Sequence, residues 1–424
     1  MRNKIHQQVY LYCCLGIAFM LPVWGKLVPT LIVILILNWL LSGDYIRTIP
    51  VLFRDVNRRK ILSFATLYVL YLIGLLYTSN FQYAGFDLEV KLSLIIFPLI
   101  FSTADLGFLS PRHLRIMMQV YIAGCVAGSL LLFGHAIALW WDGVPGAFYY
   151  MKLSWYFHSA YFAMYLNFAI AFIIIELLSR SSSRSSSRLS SPSSSRPSLT
   201  FFLTHFLTYL IILAWFFIFI FLLSSKMGLI CMVLIAMLAS AELILKQKKV
   251  FLGLGIIIIF LMCVRAGIHI FSGTSARIIQ STETLGGAAP ETSKSTSDRI
   301  AIWKISLEII KSHPLFGVGT GDVKDELVAK YKEENVEEAL ELKLNAHNQY
   351  LQTFVTLGIP GLLALLLMLV LPMFTAFRSK HYLYFVFILL FALNIAVESM
   401  FETQAGVVWY AFFNVVLFAA NHES

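Results

Sequence analysis

Hydrophobic residues along this chain gather into long unbroken runs instead of alternating with polar residues. A helix needs about 20 apolar residues to cross about 30 Å of hydrocarbon. Membrane strands would alternate with period two, and these runs of Leu, Ile and Phe do not. The pattern therefore predicts an all-α polytopic membrane protein with about twelve transmembrane helices, at approximately 9–23, 26–42, 61–77, 88–104, 116–140, 158–178, 201–223, 227–245, 250–270, 350–377, 382–398 and 406–421.

The composition agrees with this pattern. The chain of 424 residues is 59% hydrophobic and 13% charged, with a mean hydropathy of +0.78, whereas soluble domains are about 25% charged. A soluble enzyme, a disordered chain and a fibrous protein are therefore excluded. The five cysteines lie in apolar stretches without metal-ligand or disulfide spacing, so we interpret them as small hydrophobes.

The distribution of Lys and Arg predicts the orientation, because these residues mark the cytoplasmic side of membrane proteins. With both termini in the cytoplasm, the inside segments hold eighteen Lys and Arg and the short outside segments hold four. The net charge of +9 is thus a topology signal and does not predict nucleic-acid binding. A Ser/Arg-rich linker at 180–199 is predicted to be a flexible cytoplasmic loop. It lies within a first membrane part, 1–270, which precedes a large loop, 271–346, and a second membrane part, 347–424.

The large loop is the one sizeable segment of ordinary composition, and it is predicted to lie between the ninth and tenth spans on the outer face. Activity is expected on that face. A helix is predicted from a cap at Ser297 or Asp298 to His313, where Pro314 disfavours helical geometry in the preceding residue. Its apolar face is predicted to consist of Ile300, Trp303, Leu307 and Ile310.

Three alternate glycines follow that helix, at Gly317, Gly319 and Gly321. They indicate a backbone that turns tightly or closely approaches another group. A phosphate cradle is one interpretation, but neither a preceding strand nor a P-loop lysine accompanies it, and a structural turn is favoured. A charged helix is then predicted over Val323–Leu344.

The tenth span opens with a polar segment that includes Asn345, His347 and Asn348. Asn345 is predicted to cap the helix, which would place His347 in the first turn. There the helix dipole would disfavour the imidazolium form, and a neutral imidazole can act as a general base. The apolar stretch is longer than the bilayer requires, so a kink is predicted at Pro360.

His347-Asn348, followed after nine residues by Gly358-Ile359-Pro360-Gly361, resembles the signature of the O-antigen ligase/polymerase superfamily. An upstream block from Ser297 to Gly319 also resembles that superfamily, as do the twelve predicted spans and the large loop before the tenth. The specific resemblance covers Ser297 to Gly361.

That resemblance implies a bacterial inner-membrane glycosyltransferase that moves a glycan from undecaprenyl diphosphate to a sugar hydroxyl of lipid A–core. The implied partners are this lipid-linked donor, the acceptor and membrane lipids, without nucleic acid, nucleotide, cofactor or metal. His347 would be the general base and Arg299 would bind the diphosphate. Lys226 stands where the family has an arginine after serine, and lysine lacks the bidentate fork. Arg265 is a further candidate phosphate ligand or a helix-end anchor, and the supporting motif residues are Asn348, Gly358 and Gly361.

Alternatives remain at this stage. Relatives in the same superfamily extend the carrier-linked glycan, as O-antigen polymerases, or modify proteins, as O-oligosaccharyltransferases. From a different class, the chain could be a lipid-linked sugar flippase or transporter, although such proteins favour charges at mid-membrane and paired broken helices. Four polar residues are predicted on the outer face and could line a cavity by position alone: Lys91, Asp142, Lys152 and His158.

Overall fold

A computed structural model describes residues 2–52, 54–186, 199–271 and 294–420. The central part of the predicted Ser/Arg linker and the first part of the predicted large loop lie outside these ranges. Within them the secondary structure is helical, and no strand is present. The α-helices, in chain order, are α1 (Arg2–Val23), α2 (Val28–Ser42), α3 (Asp44–Leu52), α4 (Val56–Ser63), α5 (Thr66–Ile73), α6 (Phe81–Lys91), α7 (Ser93–Thr103), α8 (Pro111–Trp141), α9 (Tyr150–Leu153), α10 (Ser159–Ser186), α11 (Leu199–Leu222), α12 (Lys226–Ala241), α13 (Val250–Ile270), α14 (Lys294–Ser312), α15 (Val323–Glu333), α16 (Glu337–Glu341), α17 (Gln349–Arg378), α18 (Tyr382–Asn394) and α19 (Gln404–Ala420).

Among the described residues, seven helices are long and apolar enough to cross a membrane. A bent pair, Val56–Ser63 with Thr66–Tyr77, would make an eighth span with a bend of 44°. Three shorter apolar helices are α7, α18 and α19. The protein is therefore a helical, multi-pass membrane protein, as its apolar runs predict. The number of twelve spans stays a prediction.

The chain divides into two compact units. The first contains the described residues of 1–120 and 281–424, and the second those of 121–280. In the first unit, α18 and α19 pack through aromatic rings, with the centroids of Phe391 and Tyr410 4.4 Å apart. Residues 294–346 of the large loop and the candidate catalytic histidine both lie in this unit.

The described part of the large loop has its own hydrophobic core, which packs against the start of α17. Ile302, Ile305 and Ile309 on α14 are buried with Leu327 of α15 and with Val355 of α17. The helix α14 agrees with the predicted helical spacing. The prediction that Leu307 belongs to its buried face was wrong, because Leu307 is 47% exposed. The core therefore joins the loop to the helix that follows it.

The predicted charged helix over Val323–Leu344 is wrong as one continuous element. It consists of α15 and α16, separated near Asn335, whose φ of 55° lies in the left-handed region. Asn tolerates that conformation better than most residues. Leu327 and Tyr331 on α15 are buried in the hydrophobic core of the loop.

The long helix α17 is broken at Gly358, not at Pro360. Gly358 has φ 63° and ψ −155°, a combination that is essentially restricted to glycine. A Cβ at this position would overlap the carbonyl oxygen of Leu315. The break therefore requires glycine twice, once for its backbone conformation and once for the close approach of the large loop.

The break leaves backbone groups of α17 without helical hydrogen-bond partners. The glycine-rich segment, Gly317–Gly321, supplies partners in their place. The amides of Val318 and Gly319 donate to the carbonyls of Val355 and Thr356 at 2.9 and 3.0 Å. In return, the amide of Ile359 donates to the carbonyl of Pro314 at 3.0 Å. In an unbroken helix the carbonyl of Thr356 would face Pro360, which has no N–H to donate.

The opposite side of the glycine-rich segment is anchored to the end of the bent pair. The Asp322 carboxylate accepts from the amides of Ser79 and Asn80, with closest distances of 2.8 and 2.7 Å. The Gly321 amide donates to the Thr78 hydroxyl. These amides bind protein groups, and the structure thus favours the structural turn over the phosphate cradle.

The second unit contains two of the cations that the sequence singles out. The Ser225 side chain caps α12 by accepting from the Gly228 amide at 3.1 Å, and Lys226 is the first residue of that helix. The Asn167 side chain donates to the Gly228 carbonyl at 3.0 Å, which ties α10 to α12 next to Lys226. Arg265 lies on α13 and is exposed.

Candidate active site

His347 lies immediately before α17 and not in its first turn. The helix begins at Gln349, and the cap is Asn348, whose side chain accepts from the Leu351 amide at 3.1 Å. The predicted cap, Asn345, instead accepts from the His347 amide at 3.0 Å. His347 itself has a left-handed φ of 46°. Its side chain is therefore positioned by a short turn before the helix, and the assignment of Asn345 as the cap was wrong.

A carboxylate orients the His347 ring. Nδ1 of His347 lies 3.0 Å from Oε1 of Glu398. An ionised carboxylate can only accept, so Nδ1 is the donor in this bond. In the neutral ring Nε2 then carries the lone pair, an assignment that follows from the bond partner. The pair thus has the arrangement of a general base whose tautomer is fixed by a hydrogen bond to a carboxylate.

Arg299 contacts the other oxygen of the same carboxylate. Its Nη2 lies 3.3 Å from Oε2 of Glu398, and its Nη1 donates to the Val397 carbonyl at 2.9 Å. The Glu398 side chain is only 7% exposed, and a buried carboxylate is stable only when it is paired. Arg299 and His347 together provide that pairing. The structure therefore brings the predicted base and the predicted phosphate ligand together around a residue between them.

Glu398 is held by the connection between α18 and α19, which is bonded to the start of α17. The Gln349 amide donates to the Ile395 carbonyl at 2.8 Å, and the Gln349 side-chain oxygen accepts from the Phe401 amide at 2.7 Å. The Asn348 amide donates to the Ser399 hydroxyl at 3.1 Å. The carboxylate and the imidazole are thus held near each other by three hydrogen bonds between their two segments, each with a main-chain amide as donor.

A second ionic cluster adjoins this connection. The ammonium of Lys91, which is fully buried, pairs with Asp87 and with Glu402, the latter at 3.1 Å. It also lies 4.8 Å from the centroid of the Tyr71 ring. The Gln349 side chain donates to Glu402 at 3.5 Å. Lys91 is therefore not a surface residue of a cavity; its ammonium pairs with two buried carboxylates beside the start of α17.

The other predicted site residues lie elsewhere or have structural surroundings. Lys226 and Arg265 belong to the second unit, and their role as phosphate ligands stays a prediction. Gly358 forms the break in α17, and a Cβ at Gly361 would overlap the Leu357 side chain. The Lys152 ammonium donates to the Pro145 carbonyl at 2.7 Å. In the described ranges, no group of three His, Cys, Asp or Glu residues could hold a metal ion.

Glu398 and Glu402 are the site residues that sequence reasoning missed. Glu398 is the last residue of the eleventh predicted span, Glu402 lies in the short gap that follows it, and neither belongs to a recognised motif. Carboxylates at a membrane boundary are costly and usually functional. This physical argument, applied to acidic residues as well as basic ones, could have identified them.

The fold and the site define a multi-pass membrane protein whose large loop folds onto a broken helix beside a His–Glu–Arg cluster. Residues 211–366 match the model of the family described as O-Antigen ligase. This match includes both sequence blocks, and it confirms the resemblance to the O-antigen ligase superfamily. Residues 211–366 are thus similar to a family of membrane glycosyltransferase-like or ligase-like enzymes, whose substrates are in general a lipid-linked glycan and a lipid acceptor. A comparison with curated proteins finds no match.

Proposed function

We propose that this protein transfers a glycan from undecaprenyl diphosphate to a sugar hydroxyl of lipid A–core, on the periplasmic face of the bacterial inner membrane. The observation that carries the proposal is the contact of one carboxylate, Glu398, with both His347 and Arg299. A base and a phosphate-binding cation side by side are what this transfer needs. The family match supports ligase-type chemistry in the coarser sense.

In the proposed reaction, His347 is the general base. Its Nε2 takes the proton of the acceptor hydroxyl while the hydroxyl oxygen attacks the anomeric carbon of the glycan. The bond from that carbon to the diphosphate oxygen breaks, and undecaprenyl diphosphate leaves with the bonding pair. Glu398 accepts from Nδ1 and stabilises the imidazolium that forms, as the acid of a catalytic triad does.

Arg299 is proposed to bind the diphosphate, on which negative charge grows as the glycosyl bond breaks. Fixed cations contribute most where charge develops in the transition state. The contacts with Val397 and Glu398 use only part of the guanidinium's fork of N–H donors. They hold the group in place, so little ordering is required when the diphosphate binds. Lys226, from the resemblance, and Arg265, from its charge and position, are proposed as further diphosphate ligands, and the reaction is proposed to need neither metal nor nucleotide.

Reconstitution of the purified protein with a lipid-linked glycan tests this function. Transfer to lipid A–core is expected without nucleotide and in the presence of a chelator, and it should be lost in His347→Ala and strongly reduced in Arg299→Ala. A matched control is Lys332→Ala on α15, a basic residue of the same loop that is exposed. Wild-type transfer by His347→Ala would contradict the proposal.

The choice of acceptor separates the alternatives in the same assay. Extension of the carrier-linked glycan would identify a polymerase, and modification of Ser or Thr in proteins would identify an O-oligosaccharyltransferase. Movement of the lipid-linked glycan between leaflets without any transfer would identify a flippase. Each of these outcomes would replace lipid A–core ligation as the function.

A further inference from the structure

The turn at Leu315-Phe316 is apolar and exposed, although it belongs to the large loop. Leu315 is 61% exposed and Phe316 is 64% exposed. Both residues follow Pro314 at the end of α14 and precede the glycine-rich segment that docks onto the break in α17. Two large apolar side chains at adjacent exposed positions of a polar loop are unusual enough to require an explanation.

The surroundings of this turn are residues of membrane-spanning helices. The Ile359 amide, at the start of the apolar second half of α17, donates to the Pro314 carbonyl. The Tyr77 hydroxyl, at the end of the bent pair, donates to the Phe316 carbonyl at 2.8 Å. Ile359 and Tyr77 are themselves partly exposed, at 41% and 39%. The apolar surface of the turn is therefore continuous with the exposed apolar surface of two candidate spans.

Three polar groups of the backbone around the turn are bonded within the protein. Polar groups of non-helical backbone at membrane depth must be bonded within the protein. The Phe316 carbonyl accepts from Tyr77, the Pro314 carbonyl accepts from Ile359, and the Gly317 amide donates to the His313 carbonyl at 3.1 Å. If the turn were surrounded by water, water could donate to the Phe316 carbonyl, and the hydrogen bond from the Tyr77 hydroxyl would not be needed.

We propose that Leu315 and Phe316, with Leu76 and Tyr77 beside them, form an apolar wedge that inserts among the acyl chains of the leaflet on the large-loop side. Leu76 is 85% exposed, and its position at the end of the bent pair places it at the same boundary. The occupant is bilayer lipid, because the wedge continues the surface of spans that the bilayer must already cover. This proposal concerns membrane contact and does not rest on the proposed glycan transfer.

Fluorophore labelling of the full-length protein in lipid nanodiscs tests the wedge. In a Cys263→Ser background, which removes the one exposed cysteine among the described residues, a single Phe316→Cys variant is labelled with NBD. The expected result is blue-shifted emission, strong quenching by doxyl-labelled lipid and weak quenching by iodide in the water. Leu367→Cys, on the exposed face of the second half of α17, provides the lipid reference, and Glu334→Cys, exposed on the large loop, provides the water reference.

The readings of the Phe316 label decide the proposal in either direction. Quenching that matches the Leu367 label supports insertion. Quenching by iodide that matches the Glu334 label overturns it, and so does protection from both quenchers, because protein would then cover the turn. Leu315→Cys repeats the test should Phe316→Cys fail to fold, as judged by size-exclusion chromatography and thermal unfolding. Glycan transfer is not part of these readings, so a failed proposed function would leave the test intact.

Discussion

Glu398→Gln is the substitution that examines the candidate site most directly, because it keeps the size of the side chain and removes its charge. The carboxylate accepts from His347 through one oxygen and from Arg299 through the other. A glutamine amide has only one oxygen to offer. If that oxygen faces Arg299, the amide NH₂ faces Nδ1 of His347 and forces the hydrogen onto Nε2, where the base needs a lone pair. If the amide oxygen faces His347, the NH₂ group faces the guanidinium of Arg299, and two donors then meet without an acceptor.

The size of the effect follows from the bond that either orientation loses. A hydrogen bond to a charged group contributes about 1.5–3 kcal/mol, and each ~1.4 kcal/mol corresponds to a factor of ten in rate. The substitution is thus expected to lower kcat/KM for glycan transfer by roughly 10–150-fold. Complete loss of the base in His347→Ala is expected to lower it by about 100- to 10,000-fold.

Initial rates of transfer in the reconstituted system measure these effects, and thermal unfolding of each variant separates them from loss of fold. Glu398→Asp, which keeps the charge, should be more active than Glu398→Gln. Glu334→Gln, at an exposed glutamate of the large loop, should transfer glycan at the wild-type rate. The double variant of His347→Ala with Glu398→Gln should lose less than the product of the two single effects, because the part of the Glu398 effect that acts through the imidazole is already lost in His347→Ala. A wild-type rate in well-folded Glu398→Gln would refute the reasoning.

Further substitutions examine the fold and the remaining cation. Gly358→Ala is expected to destabilise the protein by at least about 1–3 kcal/mol because of its φ of 63°, whereas Gly255→Ala, with nothing within 4 Å of the new Cβ, should be neutral or slightly stabilising in the same thermal unfolding assay. Lys91→Met should cost about 3–5 kcal/mol, since it leaves two buried carboxylates without their cation, and part of this loss should return when both carboxylates are changed to amides. Lys226→Met should slow transfer while Lys226→Arg retains it, if the residue binds phosphate; equal rates for the two variants would remove that role.

Most of the fold could be predicted from the chain because hydropathy is a local property. Each apolar run is visible without knowledge of its neighbours, and the long helices follow from run length. The predictions that were wrong concern details that depend on contacts between distant segments. Both Gly358 and Pro360 can interrupt a helix. The break lies at Gly358 because the backbone of Leu315 approaches there so closely that only glycine fits. The phase of α14 likewise depends on which side meets α15 and α17, which places Leu307 outside the core.

The candidate site was predictable only in part for the same reason. His347 and Arg299 could be identified because they occur in sequence blocks with a recognised pattern. Glu398 contacts His347 across 51 positions of the chain, and no local pattern connects a lone glutamate at the end of an apolar run to a histidine that far away. Val397, the other partner of Arg299, contributes only a backbone carbonyl, which any residue could supply. The relation between base and acid is therefore a property of the fold.

The backbone bonds explain physically why the two sequence blocks occur together in one chain. A break at Gly358 separates the carbonyls of Val355 and Thr356 from helical donors, and unbonded carbonyls at a membrane boundary are costly. The segment after Pro314 supplies the missing amides, and its glycines allow the two backbones to approach closely enough. The break needs the amides that the segment supplies, and the segment needs the carbonyls that the break leaves without helical donors. The same bonds fix the start of α17 relative to α14, and Arg299 lies on α14 while His347 precedes α17. The interlocking of the two blocks therefore sets the distance across which Glu398 can contact both residues.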